Sequence, residues 1–212
     1  GSASKTIIDP STVVGENSGL IINSDDVQVI GLGIHNTELA AVLVTTANGL
    51  IMKKSQVQNA ISGCVSVQAG SGEVFEGNRF AGCASTAVTL TTEAEGAGAV
   101  FKKNRVTNSG GGGFSVTGNN ASFEGNVCEL VNGNCVDVAG NNAIAKKNSA
   151  VGSDSRTVSV VGNAALIEGN KAVASGGAVI VSGADPQVLK NTATDADSDG
   201  IAVNCVDPAL VE

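Results

Sequence analysis

The chain reads as an all-β stack of about nine coils of roughly 22 residues, and three observations predict it. The apolar pair at Val136-Asp137-Val138 returns as Leu20/Ile22, Val42/Val44, Val65/Val67, Val88/Leu90, Phe114/Val116, Val158/Val160, Val179/Val181 and Ile201/Val203. Successive pairs start 22, 23, 23, 26, 22, 22, 21 and 22 residues apart, a period that marks a repeat architecture. A column of asparagines, Asn78, Asn104, Asn126, Asn148, Asn170 and Asn191, runs nine or ten residues ahead of the next pair each time.

Apolar residues two apart face one side of a strand, so each pair is one short strand per coil. Nine such strands at about 4.8 Å make a parallel sheet roughly 40 Å long. Burying two branched side chains per coil contributes on the order of 3 to 6 kcal/mol before chain entropy is subtracted. No coil hides its apolar face alone, which makes the stack the cooperative unit.

Taken in order, residues 1–19 are expected to hold a cloning remnant (Gly1 and Ser2), an incomplete first coil with Ile7 facing inward, and a cap. Residues 20–206 form the stack and residues 207–212 a tail. Three residues before the Asn slot lies an inward column, Val29, Met52, Phe75, Phe101, Phe123, Ala145, Ile167 and Val188, in which three successive Phe should stack. Two residues after the slot lies another: Ile34, Val57, Phe80, Val106, Cys128, Ala150, Ala172 and Ala193. Three strands per coil, two tight turns and one wider arc place all these columns inside a triangular cross-section. Ser55 and Leu32 hold the Asn slot in the earlier coils. Elsewhere each carboxamide satisfies the turn backbone and its neighbours above and below.

Triplets such as Glu124-Gly125-Asn126 and Lys146-Lys147-Asn148, with an apolar pair about ten residues on and Gly-Asn-Asn after such pairs (Gly118 to Asn120, Gly140 to Asn142), carry a resemblance. They resemble the repeats of right-handed parallel β-helix proteins of the pectin-lyase-like superfamily, over roughly residues 5–206. The resemblance implies a right-handed, single-stranded parallel β-helix with an Asn ladder at one turn. It implies little about activity, since that superfamily spans lyases, hydrolases, epimerases, esterases, tailspikes and adhesins.

Two outward columns stand out. Two residues before the Asn slot the chain reads Lys53, Glu76, Lys102, Glu124, Lys146 and Glu168. Alternating charge one strand apart penalises a slipped register. Four residues before the slot come Ile51, Val74, Val100, Ser122, Ile144 and Leu166, an outward apolar ladder. Its residues are either covered by the stems of the flanking Lys and Glu or form a contact surface for a second copy or a neighbouring domain.

The net charge of −8 weighs against a nucleic-acid partner, which would need a basic stripe. No apolar run approaches the roughly 20 residues that span a bilayer. Five cysteines leave at least one unpaired within the chain. Cys128, in an inward slot, is expected as a small buried thiol; Cys64 with Cys83, or Cys128 with Cys135, could also meet across a turn, which spacing does not decide.

Chemistry is sparse. The arc from the Asn slot to the next pair never lengthens, so no loop walls a groove there. The clear insertion is about four residues around Thr92-Glu93-Ala94-Glu95-Gly96. The middle residues of the apolar pairs read Ile21, Leu43, Ser66, Thr89, Ser115, Asp137, Ser159, Ile180 and Ala202, making Asp137 the sole carboxylate and the one weak catalytic candidate. One Asp does not supply the acid and base of a glycosidase. The acid, histidine and arginine signatures of polygalacturonase relatives and the lyase base with its calcium cluster are missing. His35, the sole histidine, has no ligand-spaced neighbours and reads as a surface turn residue. Asp195, Asp197 and Asp199 before Gly200 match the first half of a calcium loop, but the twelfth position is Val206 rather than Glu.

The reading is a non-enzymatic, structural or ligand-presenting β-helix module, secreted or displayed on a cell or particle surface. It needs no cofactor unless calcium occupies the Asp195 turn. Alternatives are a lyase or hydrolase acting on acidic polysaccharide, or a fragment of a longer adhesin or tailspike.

Overall fold

The computed structural model describes residues 6–10, 18–92, 98–205 and 210–211, and every regular element among them is a β-strand. The strands form three parallel nine-stranded sheets, and successive strands along the chain enter sheets I, II and III in rotation. Sheet I runs from Ile7–Ile8 to Thr192–Thr194, sheet II from Leu20–Ile22 to Ile201–Asn204, and sheet III from Gln28–Ile30 to Leu210–Val211. The molecule is a right-handed parallel β-helix. Among the described residues no helix is long and apolar enough to cross a membrane.

Register follows the sequence columns. In sheet II Val136 lies opposite Phe114 and Val158; in sheet III Phe101 lies opposite Phe75 and Phe123. Those three rings stack at 4.9 and 4.7 Å, within 8° of parallel. Phe114 crosses from sheet II to meet Phe101 at 5.3 Å. Each such pair adds about 0.5–1.5 kcal/mol beyond its buried area.

The Asn ladder is buried. Asn78, Asn104, Asn126, Asn148 and Asn170 each donate through Nδ2 to the next Asn Oδ1 at 2.9–3.0 Å, and that oxygen also accepts the donor's own backbone N–H. The remaining Nδ2 hydrogen goes to a sheet III carbonyl, as from Asn104 to Phe75 at 2.9 Å. A corner that would otherwise bury unpaired backbone groups is thereby satisfied.

Three expectations are corrected. Ile8, not Ile7, aligns with inward Ile34, because the two-residue strand is paired one position later than the sequence column suggested. Leu210–Val211, assigned to a tail, pairs with the strand at Gln187–Leu189 and extends sheet III. Cys128 is not a free thiol. It is bonded to Cys135, and Cys64 to Cys83, with Cα atoms 5.5 and 5.4 Å apart. Both bridges span the corner between sheets I and II, where inward columns of the two sheets converge. Cys205 is unpaired and exposed. Of the insertion, Thr92 ends a sheet II strand; Glu93 to Gly96 lie outside the described residues, as does Val206.

Candidate functional site

In the coil between Ser109 and Phe114 the corner between sheets I and II is built from four glycines, Gly110 to Gly113. At Gly112 a Cβ would lie 2.6 Å from the Asn134 carbonyl oxygen, and at Gly113 2.6 Å from Cys128 Sγ. Only glycine lets the coils close here. The result is a cleft of about 220 Å³ lined by Thr86, Gly112, Phe114, Ser115, Gly133, Asn134 and Asp137.

Asp137 is the only ionisable group in that lining. Its Oδ1 accepts from Asn134 Nδ2 at 3.2 Å. Asn134 Oδ1 in turn accepts from Ser155 Oγ at 2.6 Å and from the Arg156 backbone N–H at 3.2 Å. The Cys128–Cys135 bridge pins the residue between Asn134 and Val136. Along the stack Asp137 is in register with Ser115 and Ser159, and Ser115 continues through Thr89 to Ser66. Sheet II therefore presents a row of four hydroxyls and one carboxylate, one strand spacing apart, bounded by Leu43 and Ile180. Such a row donates and accepts hydrogen bonds along a linear ligand. It holds one carboxylate, where glycoside hydrolysis by either stereochemical course uses two.

The other sequence candidates lie elsewhere. Asp195, Asp197 and Asp199 are exposed in the turn from sheet I to sheet II, and among the described residues no three His, Cys, Asp or Glu side chains converge as a metal site. Asp195 has φ of 51°, in the column where Asn36, Asn59, Gly82 and Asn108 are also left-handed. Asp and Asn tolerate that conformation better than most residues, so the backbone gives its own reason for Asp there. Ile51, Val74, Val100 and Leu166 point outward and are half-buried, with Ile144 the most open at 39 % exposure. Beside them the charged column pairs as Lys53–Glu76 at 2.9 Å, Lys102–Glu124 at 3.7 Å and Lys146–Glu168 at 3.1 Å. His35 lies in sheet I opposite Gln58, several coils along the stack from the strand that carries Asp137.

Sequence reasoning passed over three groups. Asn134 is a turn residue with no columnar counterpart. A second Asn ladder runs on the surface between sheets II and III, where Asn119 Oδ1 accepts from Asn141 N and Asn141 Oδ1 from Asn163 N, both at 2.8 Å. Glu73 is fully buried in the slot that Leu50, Ala99, Ala121, Ala143 and Ala165 fill in other coils. Neither of its carboxylate oxygens has a hydrogen-bond partner of normal geometry. Burial pushes its pKa up, and the nearby Glu73 and Ser71 backbone N–H groups offset only part of that.

Comparison with known proteins bears on the fold. A family model described as "Right handed beta helix region" matches residues 1–128. The catalytic domain of a GH87 α-1,3-glucanase variant, solved in complex with tetrasaccharides, is similar with a TM-score of 0.56 at 7% identity, over 97% of this chain and 58% of that one. The chain thus spans little more than half of that neighbour. HetL, a pentapeptide repeat protein involved in heterocyst differentiation regulation from the cyanobacterium Nostoc, aligns over 91% of both chains at 9% identity, but its TM-score of 0.21 carries no argument. No curated protein matches in sequence.

Proposed function

The chain belongs to the right-handed β-helix region family, and from that premise we propose that it is a rigid, non-catalytic module that holds a hydroxyl-rich, neutral polysaccharide along sheet II. The observation that carries this reading is the row Ser66, Thr89, Ser115, Asp137 and Ser159, with a cleft at its centre and one carboxylate in the lining. A sugar hydroxyl can donate to the Asp137 oxygen that Asn134 leaves free, while Ser and Thr hydroxyls serve either direction. The Cys128–Cys135 bridge and the close-packed glycines keep the cleft in one shape, which lowers the ordering cost of binding. Two disulfides form and persist in oxidising surroundings, which supports a secreted or surface-displayed protein. The neighbour's tetrasaccharide complex is the reason to begin with glucans.

Affinity electrophoresis through gels containing soluble neutral glucans, paired with an assay for new reducing ends, tests the reading. The expected result is retardation without cleavage, lost in Asp137→Ala. Cleavage abolished by Asp137→Ala would replace this reading with hydrolysis. Unretarded migration on every neutral glucan would overturn it.

A further inference from the structure

The acidic net charge conceals a basic edge. Ten of the chain's 12 Lys and Arg, but three of its 20 Asp and Glu, lie in the three columns that border the buried Asn ladder, two and one residues before it and one after. A basic stripe is therefore present despite the net charge of −8, and the rest of the chain is strongly acidic.

Among the described residues the middle of these columns is left-handed throughout: Gly31, Lys54, Gly77, Lys103, Gly125, Lys147, Gly169 and Lys190 have φ between 49° and 67°. Glycine is relaxed in that conformation and lysine is strained, so the fold gives no reason for lysine in alternate coils. The lysine stems lie along the stack: Cβ atoms at Gly77, Gly125 and Gly169 would meet Lys54, Lys103 and Lys147 Cγ at 4.0, 3.8 and 3.7 Å. The preceding lysines, Lys53, Lys102 and Lys146, are neutralised by Glu76, Glu124 and Glu168. Lys54, Lys103, Lys147 and Lys190 are exposed and have no ion-pair partner among the described residues. Register control accounts for the first lysine of each pair and not for the second.

We propose that this corner binds a linear acidic polysaccharide laid parallel to the solenoid axis. The four lysines stand two coils apart, roughly 9–10 Å, about the length of one disaccharide, so a polymer with one carboxylate per disaccharide meets one lysine per repeat. A notch of about 360 Å³ lined by Lys53, Lys54, Glu76, Gly77 and Lys103 opens between two of them, where glycine leaves room for a sugar ring. Duplex nucleic acid, with a charge every ~1.7 Å of axis, is far denser than the row. The acidic remainder of the surface repels a polyanion everywhere but here, which steers it to this edge. The site is independent of the sheet II cleft.

The test is binding of hyaluronan, one carboxylate per disaccharide, at low ionic strength, to the unaltered chain and to Lys54→Asn/Lys103→Asn/Lys147→Asn/Lys190→Asn. Asn suits the left-handed backbone, and a thermal melt checks that the fold survives. Binding should weaken at least tenfold in the fourfold variant, by an intermediate factor in Lys103→Asn/Lys147→Asn, and steeply with added salt. Asp137→Ala should leave it unchanged, which separates this site from the glucan cleft. Absent hyaluronan binding, equal binding by the fourfold variant, or tighter binding of duplex DNA than of hyaluronan would each overturn the proposal.

Discussion

Asn134 donates to the Asp137 carboxylate at 3.2 Å while its own Oδ1 accepts from Ser155 and Arg156 of the next coil. The orientation of the one carboxylate in the cleft is thus set by a residue three positions earlier, itself held by a neighbouring coil. Asn134→Ala should therefore weaken glucan retention through Asp137, by about 1 kcal/mol or roughly fivefold. Affinity electrophoresis of Asn134→Ala beside Asp137→Ala checks this; a larger loss in the Asn variant would make Asn134 the ligand contact and Asp137 its support.

The buried ladder predicts a graded cost. Asn126→Ala removes the acceptor of Asn104 N and of one Asn104 Nδ2 hydrogen, and the side-chain donor to Phe101 O, leaving three buried hydrogen bonds unmade. A loss of roughly 3–5 kcal/mol follows. Asn191 makes the corresponding three bonds without the onward pair that Asn126 donates to Asn148, and it is 9 % exposed in the last coil. Water can replace its bonds there, and Asn191→Ala should cost about 1–2 kcal/mol. Urea unfolding of the two variants provides the comparison.

Glu73 predicts a pH dependence of unusual sign for a carboxylate. Burial raises its folded pKa above the ordinary 4.5, so between those values the folded chain binds more protons than the unfolded one and stability falls as pH rises. Glu76 and Glu168 act oppositely. Hydrogen bonds from Lys53 and Lys146 lower their pKa values, so their contribution is present above pH 4.5 and is lost as pH falls below it. Glu73→Leu, which copies Leu50 of the adjacent coil, should remove the decline above pH 4.5 and raise stability at pH 7 by about 1–3 kcal/mol. Thermal melts of the variant and the unaltered chain from pH 3 to 8 decide it, and parallel curves above pH 4.5 would refute the assignment.

Whatever repeats is legible in the sequence, because each column repeats one environment and a single residue type answers it every 22 or so positions. The Phe stack, the Asn ladder and the Lys–Glu pairs were readable for that reason. What is particular to one coil was not. Asn134 gains its role from a neighbour 21 residues away that no spacing rule marks. Glu73 breaks an apolar column, a signal that the register exposes and composition hides. Two of the four lysines beside the ladder, Lys103 and Lys147, were visible in Lys-Lys-Asn triplets, but the strained backbone and common edge of all four exist only once the coils are stacked. Cys128 looked like one more small inward residue, since its partner Cys135 belongs to a different column.

That bridge gives the last prediction. Cys64–Cys83 closes 19 residues across adjacent coils, whereas Cys128–Cys135 closes 7 within one. The chain-entropy account gives each about 2–3 kcal/mol, with the longer loop worth slightly more. Their consequences for binding should differ more than their stabilities, because only the second flanks Asn134 and Asp137. Replacing Cys64 and Cys83 by Ala should lower the melting temperature and leave glucan retention intact in the folded protein. Replacing Cys128 and Cys135 by Ala should lower the melting temperature by a similar amount and also weaken retention. Equal effects of the two pairs on retention would mean that the bridges act on the stack as a whole and that the cleft draws no rigidity of its own from the nearer one.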